Sequence, residues 1–409
     1  MRIAFVGGYP PNPEGEAHYL QCVVESLAPL IEGCISVFAH RLTTQHPEKN
    51  LPAHVSIHRI TWPYHRIRRH GSFFYLKPWI ERVRPTVVHF QAPHKALYGG
   101  VYGEPLLLLF HYLKTLAIPT VVTLHSLWLE EDFRLLAEEH QHPRWKIHAL
   151  QTMYRWYHQE LLRHTTQVNA LVSGDTNPLI HEFLEEWHLA DNTLHAEPHP
   201  CYPNPLSEEY VQNAKLSVGL KGKRVILAFG FVRPDKGYHY LIEASAEILR
   251  HSPETVLVIA GQPKGSLGVS YAQQLRNLIR KLDINSQVIA DFAYIPDEKL
   301  HTYLQAADVV VIPYTRVMGA SGPMHHALSY GKPVVATNVG QNRGMQGTCL
   351  LVPPKDTTAL HDALDGLLGN QSLWKDYHHK SLEYAHTHSW NHLAERYLQD
   401  YHRLGGGSR

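Results

Sequence analysis

Arg233 and Lys236, in the stretch FGFVRPDKGYHYLIEA, are two cations in a turn that follows an apolar run and leads into a helical pattern. Arginine forks onto a phosphate and lysine adds a point charge, so the pair reads either as a diphosphate clamp or as solvated loop charges. A second stretch, MGASGPMHHALSYGKPVVA (Met318–Ala336), supplies what such a clamp would need beside it. Gly319, Ala320, Ser321 and Gly322 are small residues whose backbone N–H groups open a helix, where partial positive charge suits an anion. That helix carries His325 and His326 where a sugar-binding protein would be expected to use carboxylates. In the first half, GGYPPNPEGEAHYLQCVVESLAPL places Gly15 just ahead of an amphipathic helix. Gly15 there either serves the turn or lets a ligand backbone or phosphate approach closely.

Several other chemistries are not supported. No GxGxxG follows the first strand and no GxxxxGK[ST] occurs, which removes the usual phosphate turns of nicotinamide, flavin and P-loop sites. Among 32 histidines no pair shows a ligand spacing with a third ligand, so no metal site is expected. Cys22, Cys34, Cys201 and Cys349 are widely separated, without CxxC spacing, which argues against a zinc ribbon or a disulfide framework and fits a reducing cytoplasm. A formal net charge of +1 gives no global reason to expect nucleic acid. The run YHRIRRHG followed by SFFYLKPWIERVR, residues 64–84, is basic and aromatic; it reads as a solvated helix face or as a weak contact with an anionic membrane surface. The run PLLLLFHYLKTLAI is interrupted by His111 and Lys114 and is too short to span a bilayer, and MRIAFVGGYPP reads as a strand and turn rather than a signal peptide. The expected location is the cytoplasm, free or peripheral to the inner face of the membrane.

The elements that must position these residues follow from hydrophobic periodicity. A chain of 409 residues exceeds what one core usually organises, so two domains of roughly 200 residues each are expected. RIAFVGG, SVFAH, TVVHFQ, TVVTLHS and QVNALVSG read as strands in the first half; RVILAFGF, TVLVIAG, QVIADF, DVVVIPY, KPVVAT and TCLLVPP do so in the second. Apolar, β-branched runs without polar alternation are strands buried on both faces, which predicts parallel sheets covered by helices and an α/β class with two doubly wound domains. Prolines interrupt both periodicities in Glu197–Lys223. The expected organisation is therefore an N-terminal domain over 1–200, a linker over 201–222, a C-terminal domain over 223–385, a helix over 386–404 and a flexible tail over 405–409. In that helix Trp390, Leu393, Tyr397 and Tyr401 recur at helical spacing, either facing the core nearby or crossing back to the first domain.

Together these motifs resemble the retaining glycosyltransferases of family four, whose GT-B architecture has two Rossmann-like domains facing a central cleft. The resemblance covers nearly the whole chain. PPNPEGEAHYLQCVVESLA is similar to the family's glycine loop and first helix, VVTLHSLW to its histidine-bearing strand end and FGFVRPDKG to its phosphate turn. YIPDEKLHTYLQAADVVVIPY is similar to its nucleotide-base region and HHALSYGKPVVAT to its most recognisable signature. The resemblance implies that His125 lies against the donor sugar and that Arg233 and Lys236 hold the pyrophosphate. It further implies that Tyr294 and Ile295 meet the base, that Ser321, Gly322 and Pro323 form the loop under the phosphates, and that Gly15 lies near the donor phosphate and the acceptor.

The departures fall on the sugar and ribose contacts. Where the family has two glutamates, one on the donor sugar and one on the ribose, this chain has Met318 and His326; Phe231 stands at the family's first arginine, with Arg233 two residues later. A carboxylate accepts from two hydroxyls, methionine offers almost nothing and a neutral histidine one acceptor. The expected function is transfer of a hexose-type sugar, with retention and without a metal or cofactor, from a UDP-, GDP- or ADP-sugar to an acceptor hydroxyl on a polysaccharide, a lipid-linked sugar or a small metabolite. The alternative is a catalytically silent GT-B subunit that binds sugar or protein and supports an active partner.

Overall fold

The computed structural model describes residues 1–409 apart from 13–14, 41–50, 61–70, 93–97, 99, 176, 191–192, 203, 205–206, 318 and 407–409. Met318 and the first part of the basic segment 64–84 therefore lie outside the described residues. The chain divides into two compact units, Met1–Pro198 together with Trp390–Arg409, and His199–Ser389.

The first unit is built on β1 (Arg2–Gly7), β2 (Cys34–His40), β3 (Val55–Ile60), β4 (Val87–Ala92), β5 (Thr120–Leu124), β6 (Gln167–Val172) and β7 (Leu194–Pro198). These form a parallel seven-stranded sheet in the order β3-β2-β1-β4-β5-β6-β7. The second unit contains β8 (Arg224–Phe229), β9 (Thr255–Ala260), β10 (Val288–Asp291), β11 (Val309–Ile312), β12 (Val334–Thr337) and β13 (Leu350–Val352), parallel in the order β10-β9-β8-β11-β12-β13. Central strands such as TVVTL of β5 and TVLVIA of β9 are buried at every position, because helices cover both faces. β3 and β7 are absent from the runs that the sequence marks as strands. Both are edge strands, and VSIHRI and LHAEP mix buried with exposed or half-buried positions, so neither carries the apolar run of a two-sided strand.

In each sheet the chain moves outward from its first strand and then returns to the other side of it, so the strand order reverses between β1 and β4 and again between β8 and β11. Open α/β sheets present ligand sites in the crevice outside the carboxyl ends of the strands at such a reversal.

The helix Trp390–Gly405 belongs to the first unit, and a buried polar chain ties it there. Tyr19 and Tyr397 each donate a hydroxyl to Glu197 Oε1 at 2.6 Å. Thr123 Oγ1 lies 3.2 Å from Tyr397 Oη and 2.8 Å from His89 Nε2, while His89 Nδ1 meets Tyr401 Oη at 2.5 Å. Since Tyr397 spends its proton on Glu197, Thr123 donates to Tyr397 and the Nε2–H of His89 donates to Thr123. His89 is thus the neutral Nε2–H tautomer, accepting from Tyr401 at Nδ1. The other Glu197 oxygen faces Arg396 at 3.5 Å. Burial raises the Glu197 carboxyl above the usual carboxylate range, against the opposing pull of Arg396 and the two phenols.

In the second unit, Glu208–Ser217 of the proline-interrupted stretch is helical and is capped by Ser207, whose hydroxyl accepts from the Tyr210 N–H at 3.3 Å. Its Lys215, nearly buried, pairs with Asp308 at 2.7 Å just before β11 and donates to Lys223 O at 2.8 Å. This segment packs as part of the unit because both of its ends are held by polar groups that would be costly to bury alone.

Candidate functional site

At the carboxyl end of β8 the chain passes through Gly230 into Arg233, then a 3-10 turn at Pro234–Lys236 and the helix Tyr238–His251. Gly237 joins turn to helix at φ +65°, and a Cβ there would fall 1.9 Å from Pro313 O, so only glycine lets this turn lie against the end of β11. The Thr315 N–H donates to Asp235 O at 2.9 Å, fastening the same two segments again. Arg233 Nε donates to Asp235 Oδ1 at 2.8 Å, and Lys236 Nζ stands 3.6 Å from the centroid of the Tyr314 ring. The two cations that the sequence puts in one turn therefore have different surroundings: the guanidinium is paired with a carboxylate, while the ammonium faces an aromatic ring.

The helix Gly322–Ser329 begins beside them, since a Cβ at Gly230 would come within 3.4 Å of Pro323 Cγ. Ser321 is its N-cap, its hydroxyl accepting from the Met324 N–H at 3.4 Å. With that N–H taken and Pro323 lacking one, Gly322 supplies the first N–H of the helix, fewer donors than the run of small residues suggests. Because the cap bond is long, Ser321→Ala is expected to cost only about 0.5–1 kcal/mol, read as a small fall in the unfolding midpoint.

His325 and His326 part company. His325 is buried, its Nδ1 lies 2.8 Å from Ser321 O, and its ring stacks on His199 at 4.2 Å; burial first, then His199, holds it well below the usual histidine range. It is a neutral core residue that fixes the start of the helix. His326 is half-buried on the same helix. Gly319 and Ala320 lead into the cap, both half-buried.

Tyr294 and Ile295 lie in the loop after β10, two strands from β8; Tyr294 is 69% exposed and Ile295 packs on the core. Among the described residues no hydrogen bond or ion pair joins them to Arg233 or Lys236.

Gly15 and His125 belong to the first unit. Gly15 is the first residue of its helix, with a backbone any residue can adopt and nothing within 4 Å of an added Cβ, so neither the turn nor packing requires glycine there. His125 directly follows β5, with its Nε2 2.7 Å from Oε1 of the buried Gln91 at the end of β4 and its ring edge-on to Tyr19 at 5.0 Å. A Cβ at Gly7, the last residue of β1, would lie 2.9 Å from the Gln91 Cβ, so that glycine makes room for the glutamine. His125 and Gln91 thus mark the strand-order reversal of the first sheet, as Lys236 and Tyr314 mark that of the second.

The family model for glycosyl transferases group 1 matches residues 223–370, from the start of β8 to the end of the helix Thr357–Gly369. The match covers less than half of the chain. A D-inositol 3-phosphate glycosyltransferase of Nocardia farcinica is 33% identical over 198 residues, 46% of this chain and 42% of that one. The chain thus matches less than half the length of this curated relative. The sucrose-phosphate synthase of Thermosynechococcus elongatus superposes over 100% of both chains with a TM-score of 0.75 at 19% identity. HepE of Anabaena, solved in complex with UDP, superposes over 98% of this chain and 100% of its own, with a TM-score of 0.71 at 16% identity. These two likenesses are of fold, and the fold is GT-B, with two Rossmann-like units.

Within residues 223–370 the site reading from sequence misses Tyr314, Tyr238 and Asp235. DVVVIPY reads as a buried strand that ends the stretch similar to the nucleotide-base region, and nothing local reports that its tyrosine ends under a lysine that follows another strand. Among the described residues no group of three His, Cys, Asp or Glu is placed to hold a metal, and no helix is long and apolar enough to cross a membrane.

Proposed function

We propose that this protein is a retaining glycosyltransferase that moves a hexose-type sugar from a nucleoside diphosphate sugar to an acceptor hydroxyl. The observation that carries the reading is the arrangement at the strand-order reversal of the second sheet, where Arg233, Lys236 and the N-terminus of the helix Gly322–Ser329 adjoin the ends of β8 and β11. An anion with the charge of a diphosphate is stabilised there by a fork, a point charge and a helix end. In transfer, the bond between the anomeric carbon and the diphosphate oxygen breaks, and the acceptor oxygen bonds to that carbon on the face being vacated. The departing phosphate oxygen takes the acceptor's proton, so the step needs no side-chain base. Its rate depends on how well the cations meet the charge developing on the leaving group. Tyr294 and Ile295 as base contacts, Gly15 near the phosphate and acceptor, and His125 as sugar contact, oriented by Gln91, complete the proposed roles. His326 offers the ribose one acceptor where a carboxylate would offer more. The acceptor is a polysaccharide end, a lipid-linked sugar or a small metabolite, and the reaction is placed in the cytoplasm, free or at the membrane surface.

UDP bound to HepE, which shares the fold, makes UDP-sugars the first donors to test, with GDP- and ADP-sugars beside them. The expected result is a raised melting temperature with one nucleotide, slow hydrolysis of its sugar, and product with the donor's anomeric configuration by NMR. Absence of stabilisation by every nucleotide would remove the donor site. A silent GT-B subunit is the second reading, favoured by Met318 and His326 at the positions of the family's glutamates; a nucleotide that binds without sugar loss in any setting would select it.

A further inference from the structure

Lys236, like Lys264 and Arg276 of the same unit, stands over an aromatic ring. Lys215, Arg224, Arg233 and Lys299 each pair with a carboxylate. Among the described residues none pairs with Lys236, whose ammonium instead stands 3.6 Å from the Tyr314 ring centroid. That ring is 2% exposed and packs in one cluster with Ile312, Val317 and Met324, the last on the helix Gly322–Ser329. Its backbone is also fixed, since Tyr314 O accepts from Thr337 Oγ1 at 2.5 Å. On either side of Tyr314, Pro313 O packs on Gly237 and Thr315 N–H bonds to Asp235 O. The turn that carries Lys236 and the strand end that carries Tyr314 are thereby one rigid piece.

We propose that Tyr314 is a positioning residue for Lys236: its ring face holds the ammonium at the ends of β8 and β11, so that a diphosphate meets a cation already in place. The inference rests on the donor-site reading above and deepens it. A lysine on a flexible stem samples many rotamers, and fixing it at the moment of binding would weaken the complex. A ring quadrupole holds the charge without neutralising it, and leaves the N–H donors that point away from the ring for phosphate oxygens. Asp235 does the converse for Arg233, holding it with an opposing charge. The ring, rather than the hydroxyl, is the working part. Among the described residues Tyr314 Oη is buried without a hydrogen-bond partner, as is Tyr238 Oη, and both lie near Gly230, 4.0 Å and 3.7 Å from where its Cβ would be.

The test titrates inorganic pyrophosphate into the full chain by calorimetry, so that base and sugar play no part. Tyr314→Phe is expected to bind within about twofold of wild type. Difluoro- and trifluorophenylalanine at the same position keep the ring's shape while draining its face, and affinity should fall stepwise, by about three- to tenfold at the trifluoro stage. Tyr314→Leu should lose at least as much, and if it fails to fold the fluorinated series still decides. A trifluoro variant that binds as tightly as Tyr314→Phe overturns the proposal. One that binds more tightly overturns it too, since the ring would then compete with the anion. Lys236→Ala separates the two ideas. If it binds pyrophosphate like wild type, the donor-site reading falls and takes the proposal with it. If it is weakened while the ring series is flat, only the role of Tyr314 is lost.

Discussion

Lys236→Ala is expected to lower donor turnover by about 10²–10³-fold, the usual cost of removing one preorganised group from a developing oxyanion. Nucleoside diphosphate affinity should fall by about 10- to 100-fold, as for loss of a charge-assisted hydrogen bond worth about 1.5–3 kcal/mol. The larger effect on turnover than on binding is the diagnostic feature, since the leaving group carries more charge on its bridging oxygen as the bond breaks. Arg233→Ala should do less in binding, because Asp235 already offsets part of its charge at 2.8 Å. A nucleoside monophosphate, lacking the second phosphate, should be less sensitive to both variants. Steady-state rates and calorimetric affinities on one preparation check all of this, and equal effects of both variants on di- and monophosphate would place the cations elsewhere.

The second large effect is on stability in acid. His89 and His158 are fully buried in the first unit, and burial lowers them to about 3 and about 4. In the unfolded chain both revert to about 6.5. Between those values the unfolded state takes up protons that the folded state refuses, so stability is lost as pH falls below about 6.5, at up to about 1.4 kcal/mol per pH unit for each group. Glu197 opposes this: its raised carboxyl is protonated first in the folded state, so stability is gained as pH falls through that window. The two histidines together are expected to cost the first unit about 4 kcal/mol from pH 7 to pH 5, before the opposing contribution of Glu197. Urea unfolding at both pH values measures it. His158→Gln should be less stable at pH 7 yet show a pH-dependent loss smaller by about 2 kcal/mol, and an unchanged difference would mean that His158 titrates normally.

The sheets were legible because two-sided burial leaves a local mark: TVLVIA and VVTL are buried at every position and apolar at all but their threonines, whichever strands they pair with. The edge strands β3 and β7 left no such mark, since one exposed face admits His58, Arg59 and His195. The residue types of the candidate site were legible in the same way, because Arg233, Lys236 and the small residues before Gly322 are anion-binding types within a few positions of a helix start. His325 was misleading. Sequence puts it beside His326 as a candidate ligand contact, whereas helical geometry turns it inward onto His199 and Ser321.

The sequence by itself determined the α/β class, the residue types available to a phosphate, and the absence of carboxylates at positions 318 and 326. Only the tertiary structure decided which strand ends meet. Asp235 and Thr315, eighty residues apart, touch because β11 pairs with β8 rather than with β10, its nearest predecessor in the chain. Strand order is set by crossover handedness and by the competition of whole helix faces for the sheet, neither of which appears in any short window of residues. That order puts a buried tyrosine under a lysine that pairs with no carboxylate among the described residues, while the fold of the first unit binds the helix Trp390–Gly405 through Tyr397, Tyr401 and Glu197.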